Sequence, residues 1–122
     1  MNKVKNAITV FLLLIVIAPV ISMAQQAPVS MIYKTIDTTK LELRIFYPAN
    51  YTKGKKLPAI ILFFGGGWKS GSINQMEPQI KHFVSEGMIG ITADYRVKNR
   101  QKTTPFEAVA DAKSAIRFLR SR

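Results

Sequence analysis

Apolar and polar residues alternate over residues 29–47, and this pattern predicts two β-strands, at residues 29–37 and 40–47. The polar residues 37–39 suit a tight hairpin turn between them. Pro48 ends the second strand, because proline has no N–H to donate to a neighbouring strand. One side of the first strand is expected to carry Ile32, Lys34 and Ile36. One side of the second strand is expected to carry the apolar residues Leu41, Leu43, Ile45 and Tyr47.

Two apolar runs without alternation follow, at residues 59–64 and 88–93. Short runs rich in β-branched and aromatic residues are typical of strands that are buried on both faces of a parallel sheet. Between the runs, Pro78 suits the first turn of a helix and Gly87 suits its C-terminal cap. The order strand, helix, strand predicts a right-handed parallel crossover. The apolar face of this helix is expected at Ile80, Phe83 and Val84.

A second helix is predicted to begin after Thr104, because Pro105 suits its first position and Glu107 completes a capping box. The chain is therefore predicted to belong to the α/β class, with an antiparallel hairpin followed by strand, helix, strand and helix. The apolar stripe of the second helix is expected at Phe106, Val109, Ala110, Ile116 and Leu119.

The first 24 residues have the pattern of a signal peptide. Lys3 and Lys5 precede an apolar stretch at residues 7–17, and residues 22–24 (Ser-Met-Ala) fit a cleavage site. The apolar stretch is short for a transmembrane helix. We therefore expect a secreted or periplasmic domain of residues 25–122, which would contact a membrane only through an uncleaved signal.

Composition limits the classes of partner. The formal net charge is +11, but lysine and arginine are scattered along the chain and do not form a stripe beside aromatic residues. We therefore expect a basic, solvated surface and no nucleic-acid partner. The chain has no cysteine and a single histidine, His82, so no disulfide, metal site or cofactor is predicted.

Three glycines, Gly65, Gly66 and Gly67, end the first apolar run abruptly. Glycine N–H groups beyond a parallel strand can stabilise an oxyanion or hold a phosphate, and the glycines can also form a plain turn. A dinucleotide fingerprint would need a third glycine where Ser70 stands, and a P-loop would need lysine where Ser72 stands. The oxyanion hypothesis is favoured, and the residues leave the other two open.

Three motifs in this order resemble those of α/β-hydrolase-fold esterases and lipases. Residues 64–68 (Phe-Gly-Gly-Gly-Trp) resemble the His-Gly-Gly-Gly-Trp loop of that family. Residues 94–96 (Asp-Tyr-Arg) resemble its Asp-Tyr-Arg at the end of the next strand, and residues 110–120 resemble the helix that follows. The secreted acetyl-esterase-like and feruloyl-esterase-like branch is the most similar, and the resemblance extends over residues 29–122.

The resemblance implies a role for each residue of the loop. Gly66 and Gly67 would donate their N–H groups to the oxyanion, Gly65 would serve the turn, and Trp68 would form a wall of the acyl pocket. Phe64 stands where the family usually has histidine. The loop therefore loses a side-chain hydrogen bond but keeps its main-chain donors.

The nucleophile, acid and histidine that the resemblance implies do not occur in these 122 residues, since no serine lies in a Gly-x-Ser-x-Gly elbow. His82 is expected on the surface, and Asp94 and Asp111 are expected to hold loops through hydrogen bonds. The sequence thus predicts the incomplete N-terminal part of an α/β-hydrolase sheet. Residues 59–64 would form an exposed edge where the missing C-terminal part could pair.

The function implied by the resemblance is that of an exported serine ester hydrolase acting on small acyl esters or esterified polysaccharide. This chain would carry the oxyanion loop and would be inactive alone. The alternative is a non-catalytic secreted module that binds an anion or an acyl group, or that pairs with another chain through its open sheet edge. A degenerate remnant is also left open. A nucleotide-binding domain is a third and weaker hypothesis.

Overall fold

The computed structural model describes residues 26–122, so the signal peptide predicted at residues 1–24 lies outside the described range. No helix within that range is both long and apolar enough to cross a membrane. The strands are β1 (Val29–Ile36), β2 (Thr39–Phe46), β3 (Ala59–Phe63) and β4 (Ile89–Ala93), and the α-helices are α1 (Glu77–Ser85), α2 (Lys98–Gln101) and α3 (Pro105–Arg120); a 3₁₀ turn, Ile73–Met76, precedes α1.

The strands form one mixed sheet in the order β1-β2-β4-β3. β1 and β2 form the predicted antiparallel hairpin, β2 pairs antiparallel with β4, and β3 pairs parallel with β4. The predicted parallel crossover is therefore confirmed. Because Ala59 lies opposite Ile89 and Phe63 opposite Ala93, β3 and β4 end at the same edge of the sheet. The segments that follow these two strands are consequently neighbours.

A β-bulge interrupts the simple alternation predicted for β1. The pairing register shifts between Ile32 and Lys34, and the intervening Tyr33 is buried. Ile32 is exposed, whereas Lys34 reaches Asp111 of α3, so these two side chains do not share one environment. The Tyr33 hydroxyl donates a 2.7 Å hydrogen bond to the Asp94 carbonyl, and its burial, followed by the nearby carboxylates, raises the pKa of Tyr33.

Helices cover both faces of the sheet. On one face α1 buries Ile80 and Val84 against Phe46, with Ile60 and Leu62 packed around them. This packing confirms Ile80 and Val84 as part of the predicted apolar face of α1. On the other face α3 packs against the main core cluster, which contains Tyr33, Leu41, Leu43, Ile45, Ile91, Ala93 and Ala115.

β3 differs from the prediction that residues 59–64 are buried on both faces. Ala59 is exposed and the other four residues of β3 are only half-buried, whereas Gly90 to Ala93 of β4 are buried. The physical reason is position, since within residues 26–122 β3 has β4 as its single neighbour. The expectation that this strand forms an exposed sheet edge is confirmed for the described part of the chain.

The buried face of α3 also differs from the predicted stripe. The predicted stripe members Phe106 and Val109 are 86% and 46% exposed, while the buried residues of α3 are Ala108, Asp111 and Ala115. Alanine allows the helix to approach the sheet closely, and the ion pairs of Asp111 draw the same face inward. The prediction is therefore wrong at Phe106 and Val109 but confirmed at Leu119, which packs against the main core cluster. The predicted start is confirmed, because Thr104 and Glu107 form the capping box.

Candidate active-site loop

The loop after β3 turns sharply at Gly66, directly after Gly65, the residue that the resemblance assigns to the turn. The Lys69 N–H donates a 3.1 Å hydrogen bond to the Gly66 carbonyl, and the two residues between them, Gly67 and Trp68, have φ of 59° and 60°. This φ pattern is that of a type I′ turn. Gly65 is not among the glycines with positive φ, because the turn closes one residue further on. A bulky residue with positive φ, such as Trp68, is uncommon and marks a strained position.

Gly66 and Gly67 are required for different reasons. A Cβ on Gly66 would lie 2.0 Å from the Ser70 carbonyl oxygen, and its φ is 141°. No side chain can occupy this position without moving the backbone. A Cβ on Gly67 would meet nothing within 4 Å, so only its φ of 59° favours glycine. The space beside Gly67 is therefore open to a ligand.

The N–H groups of Gly66 and Gly67 are available for an external acceptor. Within residues 26–122, neither group donates a hydrogen bond to a backbone carbonyl, and both glycines are exposed. Donors at the end of a parallel strand that have no internal acceptor can stabilise a negatively charged oxygen. The arrangement is thus chemically suited to the oxyanion role.

A cavity of about 390 Å³ opens beside the loop. The backbone of Gly65, Gly66 and Gly67 and the ring of Trp68 form one side, and Tyr95 and Val109 lie among the residues opposite. All four residues singled out from the sequence therefore lie together around one mostly apolar cavity. A larger cavity, of about 580 Å³, lies away from this loop, beside residues 47–50 and the end of α1.

An aromatic stack holds the start of the loop. The rings of Phe64 and Tyr95 are stacked with their centroids 4.1 Å apart, and the Tyr95 hydroxyl donates a 2.5 Å hydrogen bond to the Phe64 carbonyl. The Arg100 guanidinium lies 5.8 Å from the centroid of the Phe64 ring. Phe64 thus contributes packing where the resembled family has histidine. Burial raises the pKa of Tyr95, although Arg100 acts in the opposite direction, so the hydroxyl stays protonated and able to donate.

The segment after β4 fixes the far side of the loop. The Lys98 N–H donates to the Trp68 carbonyl at 3.0 Å, and the Asn99 N–H donates to the Lys69 carbonyl at 2.9 Å. These contacts do not follow from the sequence pattern, because the two segments lie about thirty residues apart and share no motif. The predicted parallel pairing of the two strands was the one indication of these contacts. Segments that follow neighbouring parallel strands begin at the same edge of the sheet and therefore lie side by side.

Asp111 ties α3 to the sheet. Its buried carboxylate accepts hydrogen bonds from Lys34 Nζ at 2.7 Å, from Arg96 Nε and Nη2 at 2.8 and 3.0 Å, and from the Arg96 N–H at 3.1 Å. Burial by itself raises the pKa of Asp111, but the hydrogen bonds from Arg96 and Lys34 together outweigh it and lower the pKa. Asp94 likewise accepts from Arg100 at 2.7 Å. Both carboxylates have the structural roles expected of them.

The described part of the site offers electrostatic stabilisation but no proton-transfer pair. Among the residues that line the 390 Å³ cavity, Tyr95 alone is titratable. His82 lies exposed on α1 and does not line the cavity, in agreement with its predicted surface position. Residues 26–122 contain no group of three or more histidine or acidic side chains placed to hold a metal ion.

The profile of the BD-FAE family matches residues 43–122. The chain belongs to the BD-FAE family. Its four-stranded sheet with helices on both faces is the N-terminal portion of an α/β-hydrolase esterase fold, and the matched range includes the glycine loop, the Asp-Tyr-Arg segment and α3.

Solved esterase structures agree with this assignment. A thermophilic esterase from Thermogutta terrifontis is 42% identical, with a TM-score of 0.76, and the match covers 82% of this chain and 35% of that one. Its butyrate-bound form matches with a TM-score of 0.75 at the same identity and coverage. A non-reducing polyketide synthase from Stereocaulon alpinum is 30% identical over 69 residues, which is 56% of this chain and 3% of the synthase. The chain spans about a third of the length of the esterase it matches.

Proposed function

We propose that this chain provides the oxyanion-binding part of an ester hydrolase of the BD-FAE family. The observation that carries the proposal is the pair of available N–H groups of Gly66 and Gly67, which face no backbone acceptor within residues 26–122. When a nucleophile attacks an ester carbonyl, its oxygen becomes negatively charged. Two fixed N–H donors at that oxygen stabilise the tetrahedral intermediate more than the neutral ester, and this difference accelerates the reaction.

The acyl group would occupy the cavity beside the loop. The esterase from Thermogutta terrifontis has been solved with butyrate and with propionate bound, and both ligands are short-chain carboxylates. A volume of about 390 Å³, walled by Trp68 and Tyr95, suits a small acyl group. The proposed substrates are therefore small acyl esters, free or carried on a polysaccharide.

Titration of the isotopically labelled chain with butyrate, followed by amide NMR, tests the donor role. The amide signals of Gly66 and Gly67 should move most, because a carboxylate oxygen would accept from them. Neutral butanol, which fills the same apolar space without the charge, serves as the control ligand and should move side-chain signals of the cavity only. Shifts that spread over the lysine-rich surface and spare the loop would contradict the proposal.

We propose further that the 122-residue chain alone has no esterase turnover, because none of its serines lies in a nucleophile elbow. Hydrolysis of 4-nitrophenyl acetate should equal the buffer rate. Turnover that survives purification and disappears in Gly66→Pro would refute this, since proline removes the N–H of position 66.

A non-catalytic acyl-binding module is the second candidate, and the lack of a base or nucleophile among the residues that line the cavity favours it. Co-expression of this chain with the complementary C-terminal segment of the Thermogutta esterase separates the two. Restored ester hydrolysis would show that this chain is part of a hydrolase. Assembly with butyrate binding but without hydrolysis would show that it is a binding module.

The proposal includes export from the cytoplasm, based on the signal-like residues 1–24. Expression of the full chain in a bacterial host, followed by fractionation and mass measurement, tests it. A periplasmic or external product that begins at Gln25 is expected. A cytoplasmic product that retains Met1 to Ala24 would refute it.

A further inference from the structure

A third cavity, of about 350 Å³, shares Gly67 and Trp68 with the proposed acyl cavity. Its lining includes three lysines, Lys69, Lys98 and Lys102. The Trp68 side chain, 50% exposed, lines both cavities. Both linings are mostly apolar, and the three lysines distinguish the smaller one, which is called the cationic cavity below. A ligand that spans Trp68 would meet both.

The three lysines have fixed backbones and unused charges. Hydrogen bonds between the two loops involve the backbone of Lys69 and Lys98, and Lys102 caps α2 with a φ of 59° and an N–H that donates to the Lys98 carbonyl at 2.8 Å. Among the ion pairs within residues 26–122, none includes these lysines. One carboxylate opposes them, that of Glu107, which accepts a 2.8 Å hydrogen bond from the N–H of the lining residue Thr104. Three positive charges against one negative charge still raise the local concentration of anions, most strongly at low salt.

Two neutral residues of the same cavity differ in what they offer a ligand. Thr103 lines the cavity, but its hydroxyl is buried and has no hydrogen-bond partner in the described part of the chain. The exposed indole of Trp68 offers a flat apolar face of the kind against which sugar or other ring faces pack. The cavity therefore combines cationic groups with an exposed aromatic face.

We propose that this cationic cavity binds an anionic substituent on the alcohol part of the ester, while the acyl part occupies the apolar cavity. The inference rests on the proposed function and narrows its substrate class to esters carried on an acidic alcohol. A carboxylate and a phosphate share the required chemistry. Recognition occurs through Lys69, Lys98 and Lys102, at the wall formed by Trp68.

Trp68 is the single tryptophan of the chain, so its fluorescence reports on this wall directly. The full chain is titrated with methyl glucuronoside, with its uncharged carboxamide analogue and with glucose 6-phosphate, each at low and at physiological salt. These probes carry no ester, so binding is measured without turnover. Butyramide, a neutral acyl probe, is titrated separately to test the apolar cavity.

The matched variants are K69Q/K98Q/K102Q and K53Q/K55Q/K56Q. Each removes three charges, but the second set lies in the exposed loop before β3, at the opposite end of that strand from Trp68. Circular dichroism establishes that both variants are folded before titration.

We expect at least one anionic probe to bind about tenfold more tightly than the carboxamide at low salt, since three surface charge contacts each contribute modestly. The first variant should abolish this preference, and the second should change it by less than about twofold. The tighter of the two anionic probes identifies carboxylate or phosphate as the recognised group. Equal binding of charged and neutral probes, or equal losses in both variants, would overturn the proposal.

Failure of butyramide alone to bind would count against the acyl cavity and hence the proposed function, whatever the anion result.

Discussion

The segments after β3 and β4 begin at the same edge of the sheet but use their polar groups in opposite ways. After β4, Asp94 pairs with Arg100, Arg96 pairs with Asp111, and the Val97 N–H donates to the Gln101 side chain at 2.9 Å. After β3, two glycine N–H groups have no backbone acceptor within residues 26–122, and Trp68 adopts a positive φ. Residues 94–97 after β4 thus pair their charges and the Val97 N–H within the chain, whereas the glycine loop after β3 leaves two N–H donors for a ligand.

The difference shows how a strained loop is maintained. Positive-φ conformations of bulky residues cost free energy and persist only where the surroundings impose them. Here these contacts come from the segment after β4. The N–H groups of Lys98 and Asn99 donate to carbonyls of the loop, and the Tyr95 hydroxyl donates to the Phe64 carbonyl. Stability and binding capacity are therefore divided between two neighbouring segments, and substitutions in each should have different consequences.

The largest effect is expected from Asp111→Asn, which removes the carboxylate of α3 that pairs with Arg96 of the segment after β4. The substitution leaves Arg96 and Lys34 without their shared carboxylate and should lower the free energy of unfolding by about 3 kcal/mol. Urea denaturation measures the loss. Glu86→Gln, an exposed acid at the end of α1, is the control and should cost less than about 0.5 kcal/mol. Equal losses in the two variants would mean that the buried network does not anchor α3.

The next effect is expected within the loop itself. Gly66→Ala places a Cβ 2.0 Å from the Ser70 carbonyl and should cost about 2 kcal/mol, with amide NMR shifts throughout residues 65–71. Gly67→Ala enters open space and carries only the penalty of its φ, about 1 kcal/mol. The ordering of the two variants is the test, and a larger loss for Gly67→Ala would show that the turn is built differently.

A smaller effect is expected where the two segments meet. Tyr95→Phe keeps the stack on Phe64 but removes the hydroxyl that donates to its carbonyl, which should cost about 1 kcal/mol. The loop amides should also become less protected from hydrogen exchange. Tyr51→Phe, whose ring stacks on Tyr47 with centroids 4.4 Å apart, is the matched control. If both variants give the same stability and protection, the hydroxyl does not hold the loop.

The smallest effect is expected at acid pH. The hydrogen bonds from Arg96 and Lys34 lower the folded-state pKa of Asp111 below its unfolded value of about 3.9. The stabilisation of the folded state by the ionised Asp111 is therefore fully present above the unfolded-state pKa, and it is lost as the pH falls through the folded-state pKa. Unfolding followed between neutral pH and pH 2 should show this loss in the native chain. Asp111→Asn should have a shallower acid dependence, and an unchanged one would assign the loss to other carboxylates.

Much of the architecture could be predicted because it depends on local pattern. The hairpin, the parallel crossover and the capping box at Thr104 follow from alternation, apolar runs and terminal residues, and all three are confirmed. The first half of the α3 face was predicted wrongly, because a buried Asp111 and small alanines outweighed the larger apolar residues Phe106 and Val109, whereas Leu119 packs against the core as expected. Periodicity does not reveal which partner a helix face will meet.

The sequence by itself determined the α/β class, the position of the glycine loop and the residues Gly65 to Trp68 that line one cavity. It could do so because strand ends, glycines and caps are local signals. Only the tertiary structure decided that the turn closes at Gly66, that Lys98 and Asn99 hold the loop, and that three lysines meet beside Trp68. Those features depend on which strand ends are neighbours, and that adjacency exists only after the sheet has formed.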